Sequence, residues 1–224
     1  MNKFWFIFCF FVSFIQLQAQ VDKDTIDLKY LEDQIYLSLT YTILIDKPTT
    51  ISKNGFSGGV SFGFIKDIPF NKNRNFGLGI GVGYTYNTYI QNLKITHENQ
   101  VSLFETAQNY NRNRLGISAV EFPIEIRWRN STPQKYKFWR VYGGVKVSYV
   151  LAAKTIFSDA TETLTTNNIP EFNRIQYGLI IASGFSTWNL YIYYGLNPFF
   201  KNVNFNEKPL NLRDVNIGLK FYIM

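Results

Sequence analysis

His97 is the only histidine in the chain; Glu98 stands beside it, and Ser102 lies five positions further on. A histidine acting as general base for a serine nucleophile would suit acyl transfer on a lipid. Nothing in the surrounding stretch, Asn92 to Asn113, fixes that geometry, and a solvated loop histidine is the plainer reading. Cys9 is the only cysteine, so the chain offers too few nitrogen and sulfur ligands for zinc. A second candidate is the run VEFPIEIRWR, residues 120–129, in which Glu121, Pro123, Glu125, Arg127 and Arg129 alternate with apolar residues. Glu121 and Glu125 share a strand face about 13 Å apart, at roughly 3.3 Å per residue. That separation exceeds the range of glycosidase carboxylate pairs. The expected chemistry is mutual neutralisation in a buried network of Glu121, Glu125 and Arg127 with Arg140, Lys146, Arg174 and Lys220. A third candidate, FGLGIGVGYTY (residues 76–86), has no G-x-G-x-x-G frame and no helix after it, which excludes a phosphate-binding turn.

Alternation of period two dominates the chain beyond residue 20 and predicts strands. Eight emerge, at 35–45, about 55–66, about 75–91, about 114–129, 138–152, about 174–185, 188–197 and about 214–223. In each, one parity is aliphatic or aromatic and the other carries Gly, Ser, Thr, Tyr and scattered charges. Gly77, Gly79, Gly81 and Gly83 leave one face of the third strand bare, making room for large side chains in a narrow barrel. In the fourth strand Leu115 and Ile117 share one apolar parity and Val120 onward the other. A bulge near Ser118-Ala119 would absorb that slip. Pro123 needs a place where its missing donor goes unused.

Short connections join strands two and three, four and five, and six and seven; longer ones join the rest. The pattern predicts an all-β, eight-stranded antiparallel up-and-down transmembrane β-barrel, with short periplasmic turns and longer extracellular loops. Trp128, Trp139 and Trp188 fall beside the short turns and are expected to form a periplasmic aromatic girdle. Tyr86, Tyr149, Tyr177 and Tyr194 would form the opposite one. Eight strands close tightly enough for side chains to fill the interior, which argues against a diffusion pore. A soluble sandwich or lipocalin-like barrel would reverse the two faces, with Lys and Glu abundant on the wet one.

Residues 1–19 have the layout of a secretory signal peptide: a lysine start, an apolar run from Phe4 to Ile15, and a small residue at Ala19. Phe8 before Cys9 excludes a lipoprotein cleavage site. Residues 20–33 read as a polar periplasmic segment and 34–224 as the barrel, placed in the outer membrane after export. The net charge is +7, or +6 once Lys3 leaves with the leader. The basic residues are dispersed, so no nucleic-acid footprint is present.

The segment EFPIEIRWRNSTPQKYKFWRVYGGVKVSY joins Glu121-x-Pro123 through a short turn to an aromatic strand with Gly143-Gly144. It resembles the small outer-membrane β-barrel family of Bacteroidota. With NGFSGGVSFGFIKDIPFNKNRNFGLGIGVGY, QNLKI and YNRNRLG it looks most like the PorT/SprT branch, from about Asp33 to the C-terminus. The resemblance implies a component of the type IX secretion system, without catalytic residues. On that view the partners are outer-membrane lipid and other secretion-machinery proteins, and no cofactor or small-molecule substrate is expected. A generic barrel for adhesion or envelope integrity, or a lipid-modifying enzyme using His97, are the alternatives.

Overall fold

The computed structural model describes residues 33–98, 101–130, 138–167 and 169–223. The expected signal peptide, 1–19, and all of the expected periplasmic segment except Asp33 lie outside the described residues. Thirteen strands follow in order. They are β1 (Gln34–Ile45), β2 (Gly58–Pro69), β3 (Phe76–Ile90), β4 (Leu93–Glu98), β5 (Val101–Thr106), β6 (Arg112–Arg129) and β7 (Trp139–Ser158). Then come β8 (Thr163–Asn167), β9 (Ile175–Phe185), β10 (Trp188–Gly195), β11 (Asn204–Phe205), β12 (Lys208–Pro209) and β13 (Arg213–Ile223).

The eight long strands β1, β2, β3, β6, β7, β9, β10 and β13 pair antiparallel with their neighbours, and β1 against β13 closes the cylinder. Closure leaves no open edge along the barrel wall, the condition for a sheet in hydrocarbon. The alternation sorts side chains as expected. Ile35, Phe62, Ile124, Val145, Leu179 and Leu190 face outward and are exposed, while Glu121, Glu125, Lys146 and Lys220 are buried inside. On β7 the outward apolar row runs from Trp139 to Leu151. That is about 40 Å along the strand at roughly 3.3 Å per residue, or about 30 Å of height at a tilt near 40°. The row matches one thickness of hydrocarbon.

Above that belt the two faces exchange character. Inside lie Leu115, Ile117, Ala119, Val150, Ala153 and Phe157, all buried; outside lie Arg112, Ala152 and Lys154, all exposed. Here the wall stands in water and packs as a soluble barrel does, with an apolar filling. This corrects the expected slip in the fourth strand. The odd positions of β6 face inward throughout, so Leu115 and Ile117 never meet lipid. Their parity changes polarity because the surroundings outside change from hydrocarbon to water. A register shift does occur opposite Ser118/Ala119, but the extra residue is Leu151 on β7, between Val150 and Ala152. Leu151 and Ala152 are both exposed, and the inward parity of β7 passes from even to odd there.

Three of the stretches expected to be plain loops are folded. β4 pairs with β5, β8 extends the sheet beside the top of β7, and β11 pairs with β12. Leu93 and Ile95 of β4 and Phe205 of β11 join Phe172, Phe199, Phe200 and Leu212 in one buried cluster filling the loop end of the lumen. The left-handed backbone positions belong to Asp46, Arg74, Asn109, Ser186, Asn202, Asn206 and Glu207, with no glycine among them in the described residues. The glycines of the wall therefore serve space and not torsion.

The lipid-facing assignment has a direct test. Ile124→Lys places a charge in the apolar belt and costs about 2–4 kcal/mol, whereas Ala152→Lys, above it, costs about 0–1. Urea titrations of the protein refolded into lipid vesicles read both. Equal losses would place the two positions in the same medium.

Candidate functional site

The polar parities of β1, β2, β6, β7, β10 and β13 converge in the short-turn half of the lumen. Asp67 of β2 is the first anchor. It accepts from Arg129 Nη1 at 2.8 Å and Nη2 at 2.7 Å, and from Arg127 Nη1 at 3.2 Å. Arg129 Nε also donates to the Arg74 carbonyl at 2.9 Å, which ties the β2–β3 turn to the network. Arg127 reaches Glu125 Oε2 at 3.2 Å and Gln34 Oε1 at 2.8 Å. Glu125 Oε1 takes Lys220 Nζ at 3.1 Å and the Tyr222 hydroxyl at 2.9 Å. Higher in the barrel, Glu121 takes the Tyr36 hydroxyl at 2.6 Å and Lys146 Nζ at 3.0 Å.

Rings complete the cage. Lys146 lies 4.3 Å from the centre of the Tyr193 ring, Lys220 4.3 Å from that of Tyr36, and Arg127 4.6 Å from that of Tyr142. Each of these three cations thus has an anion and a π-face, which offsets the desolvation of a charge brought out of water. Space for these bulky groups comes from the glycines. A Cβ on Gly79 would sit 2.5 Å from Arg127 Nε, and one on Gly83 would sit 2.0 Å from the Tyr36 hydroxyl.

Pro123 points inward where the β3–β6 ladder is interrupted, between Ile80↔Ile124 and Gly83↔Glu121, so its missing donor coincides with a local gap in the pairing and the register continues beyond it. Gly144 stands opposite Glu125, and a Cβ on it would sit 1.9 Å from the Ile124 carbonyl, an approach only glycine permits. Gly143 is on the outward parity with nothing nearer than 3.9 Å to such an atom.

Between the charged half and the apolar filling lies a chamber of about 30 Å³, bounded by Thr85, Asn87, Lys146, Tyr193, Asp214 and Asn216. That is room enough for ordered water among polar partners. Asp214 accepts there from the Tyr89 hydroxyl at 2.8 Å and from Asn216 Nδ2 at 2.9 Å. The arrangement neutralises charge, fixes the strands in register and leaves the lumen filled with side chains.

Two members of the expected network behave differently. Arg174 is exposed at the start of β9, and its Nη1 donates to the carbonyls of Val150 and Leu151 at 3.4 and 3.3 Å. It serves the carbonyls freed by the β7 bulge, not the interior carboxylates. Arg140 does face inward and is buried, yet among the described residues it makes no ion pair; its neighbours there are the rings of Phe138, Tyr142 and Tyr222. Asp67, Arg129, Tyr36, Tyr222 and Asp214 are partners that the sequence reading did not assign. Asp67 continues the polar parity of β2, but the apolar Ile65 interrupts that signal, and Ile65 is itself buried inside.

The tryptophans sit on the outer wall beside the short turns, Trp128 45%, Trp139 56% and Trp188 63% exposed. Trp139 packs on Phe185 with ring centres 5.6 Å apart, and Trp188 on Phe221 at 4.8 Å. Such a belt suits the membrane–water boundary. His97 and Ser102 are cross-strand partners on the β4–β5 hairpin, with Nδ1 and Oγ 3.3 Å apart. The hairpin therefore fixes a geometry that the sequence left open. Among the described residues, however, no carboxylate is bonded to the imidazole.

A closed antiparallel cylinder with a lipid-facing apolar belt, an aromatic rim and a salt-bridged interior is an integral outer-membrane β-barrel. Over residues 18–201 the sequence matches the outer membrane protein beta-barrel domain family, and the chain belongs to it. Among curated proteins none matches the sequence. Solved structures that are similar include Ail, the attachment invasion locus protein of Yersinia pestis, at 10% identity and a TM-score of 0.38, covering 85% of this chain and 97% of Ail. An engineered protein described for asymmetric conductivity gives 9% identity and a TM-score of 0.23, covering 87% of this chain and 100% of the other. A mutant porin of Rh. blastica gives 8% and 0.23, with the same 87% and 100% coverage.

Proposed function

We propose that this barrel is a non-enzymatic component of the type IX protein secretion machinery, exported with a cleaved leader of residues 1–19 and acting through contacts with other machinery proteins. The observation that carries the non-enzymatic part is the filled lumen. Salt-bridged side chains occupy its short-turn half and an aromatic cluster its loop end. Work is left to the surfaces: the folded hairpins β4–β5 and β11–β12, the rims and the outer wall. The assignment to type IX secretion rests on the resemblance of the Glu121-x-Pro123 and Gly143-Gly144 segments to the PorT/SprT branch. No cofactor, small-molecule substrate or nucleic acid enters this function.

The test is a clean gene deletion followed by measurement of secreted type IX cargo. Cargo is retained in the cells, and the tagged barrel co-purifies with other machinery proteins. Complementation with His97→Ala restores secretion and leaves the lipid profile unchanged. Cargo release unaffected by the deletion would leave adhesion or envelope integrity as the function. A lipid profile altered by His97→Ala would instead make the hairpin pair catalytic.

A further inference from the structure

Arg140 projects from β7 into the short-turn end of the lumen and is 1% exposed, yet among the described residues its Nε and Nη1 have no hydrogen-bond partner. What surrounds the guanidinium is aromatic: its carbon lies 4.6 Å from the Phe138 ring centre, 5.6 Å from Tyr222 and 5.8 Å from Tyr142. Ring faces attract a cation but supply no acceptor in the fork geometry of its N–H groups. Burying two nitrogens of a charged guanidinium without acceptors is strongly unfavourable.

The neighbours sharpen the point. Directly opposite in the β6–β7 ladder is Arg129, and like charges so placed destabilise a sheet. On the other side β9 presents Gly184, which has no side chain to offer. Carboxylates of the network in this half of the lumen face other cations: Asp67 holds Arg129 and Arg127, and Glu125 holds Lys220 and Arg127.

We infer that Arg140 is the fixed half of an oxyanion site in the short-turn end of the lumen, its guanidinium taking a carboxylate or phosphate group through paired N–H bonds. Free small anions and the acidic side chains of a peptide both present that pair of oxygens, and the experiment separates them.

The exported chain is refolded in detergent and melted in chloride-free buffer alone, with phosphate, with acetate and with hexaglutamate, beside Arg140→Met and Arg140→Lys. Phosphate or acetate raises the wild-type midpoint by several degrees and leaves Arg140→Met unmoved. Arg140→Lys responds less, because an ammonium is a point charge without the fork; it carries the comparison alone if Arg140→Met does not refold. A rise with hexaglutamate only assigns the oxyanion to a protein side chain. Equal responses in wild type and variants overturn the site. So does an Arg140→Met protein that melts higher than wild type in every buffer, since deleting the charge would then simply relieve the barrel.

Discussion

Glu125→Ala lowers the stability of the refolded barrel by about 3–5 kcal/mol, the usual loss when one partner of a buried ion pair is removed. Glu125 is 1% exposed and holds three donors at once: Lys220, Tyr222 and Arg127. Its removal leaves an ammonium and part of a guanidinium buried without their anion, and neither reaches water without reopening the lumen. Glu105→Ala, on the exposed face of β5, stays within about 0.5 kcal/mol. Urea titrations and heat-modifiability on gels measure both variants. The double variant Glu125→Leu with Lys220→Met should recover much of the loss, because a pair replaced by apolar groups of similar volume is often nearly neutral. Similar losses for Glu125→Ala and Glu105→Ala would show that Glu125 is hydrated, and the inward assignment of the whole parity would fall with it.

The membrane half of this fold is legible because one strand there separates two extreme media. Ile124 and Glu125 are adjacent in sequence, yet one is 41% exposed to the lipid side and the other buried in the cage. Alternation alone then gives both strand and orientation. The upper half was harder to read because its outer medium is water. There Leu115 and Ile117 turn inward on the same parity as Glu121, and a change of environment imitates a change of register. The partners inside the cage were only half legible. Parity tells which side a residue faces, but pairing depends on the stagger between distant strands, as for Tyr36 and Glu121, 85 positions apart. Arg174 shows the limit at a strand end: one residue beyond the ladder, it turns to the backbone of the bulge.

Gly83→Ala is expected to destabilise the barrel by about 3 kcal/mol or more, combining overpacking of about 1–3 kcal/mol with a weakened buried hydrogen bond of about 1–3. The added Cβ would lie 2.0 Å from the Tyr36 hydroxyl, 2.9 Å from Tyr36 Cζ and 2.6 Å from the Phe62 carbonyl oxygen. Tyr36 would have to swing away, and Glu121 would keep Lys146 but lose its 2.6 Å partner. Tyr36→Phe in the same chain removes the closest clash but not the one with the Phe62 carbonyl, so the two changes combine non-additively and recovery is partial. Gly143→Ala is the control: its Cβ would meet nothing nearer than the Ile180 carbonyl at 3.9 Å, and its effect stays within about 0.5 kcal/mol. Urea midpoints for wild type, the two single variants, their combination and Gly143→Ala decide the matter. A Gly83→Ala protein as stable as Gly143→Ala would mean that the bare face of β3 does not hold Tyr36. The alternating glycines would then need a different explanation from the room they leave for side chains of other strands.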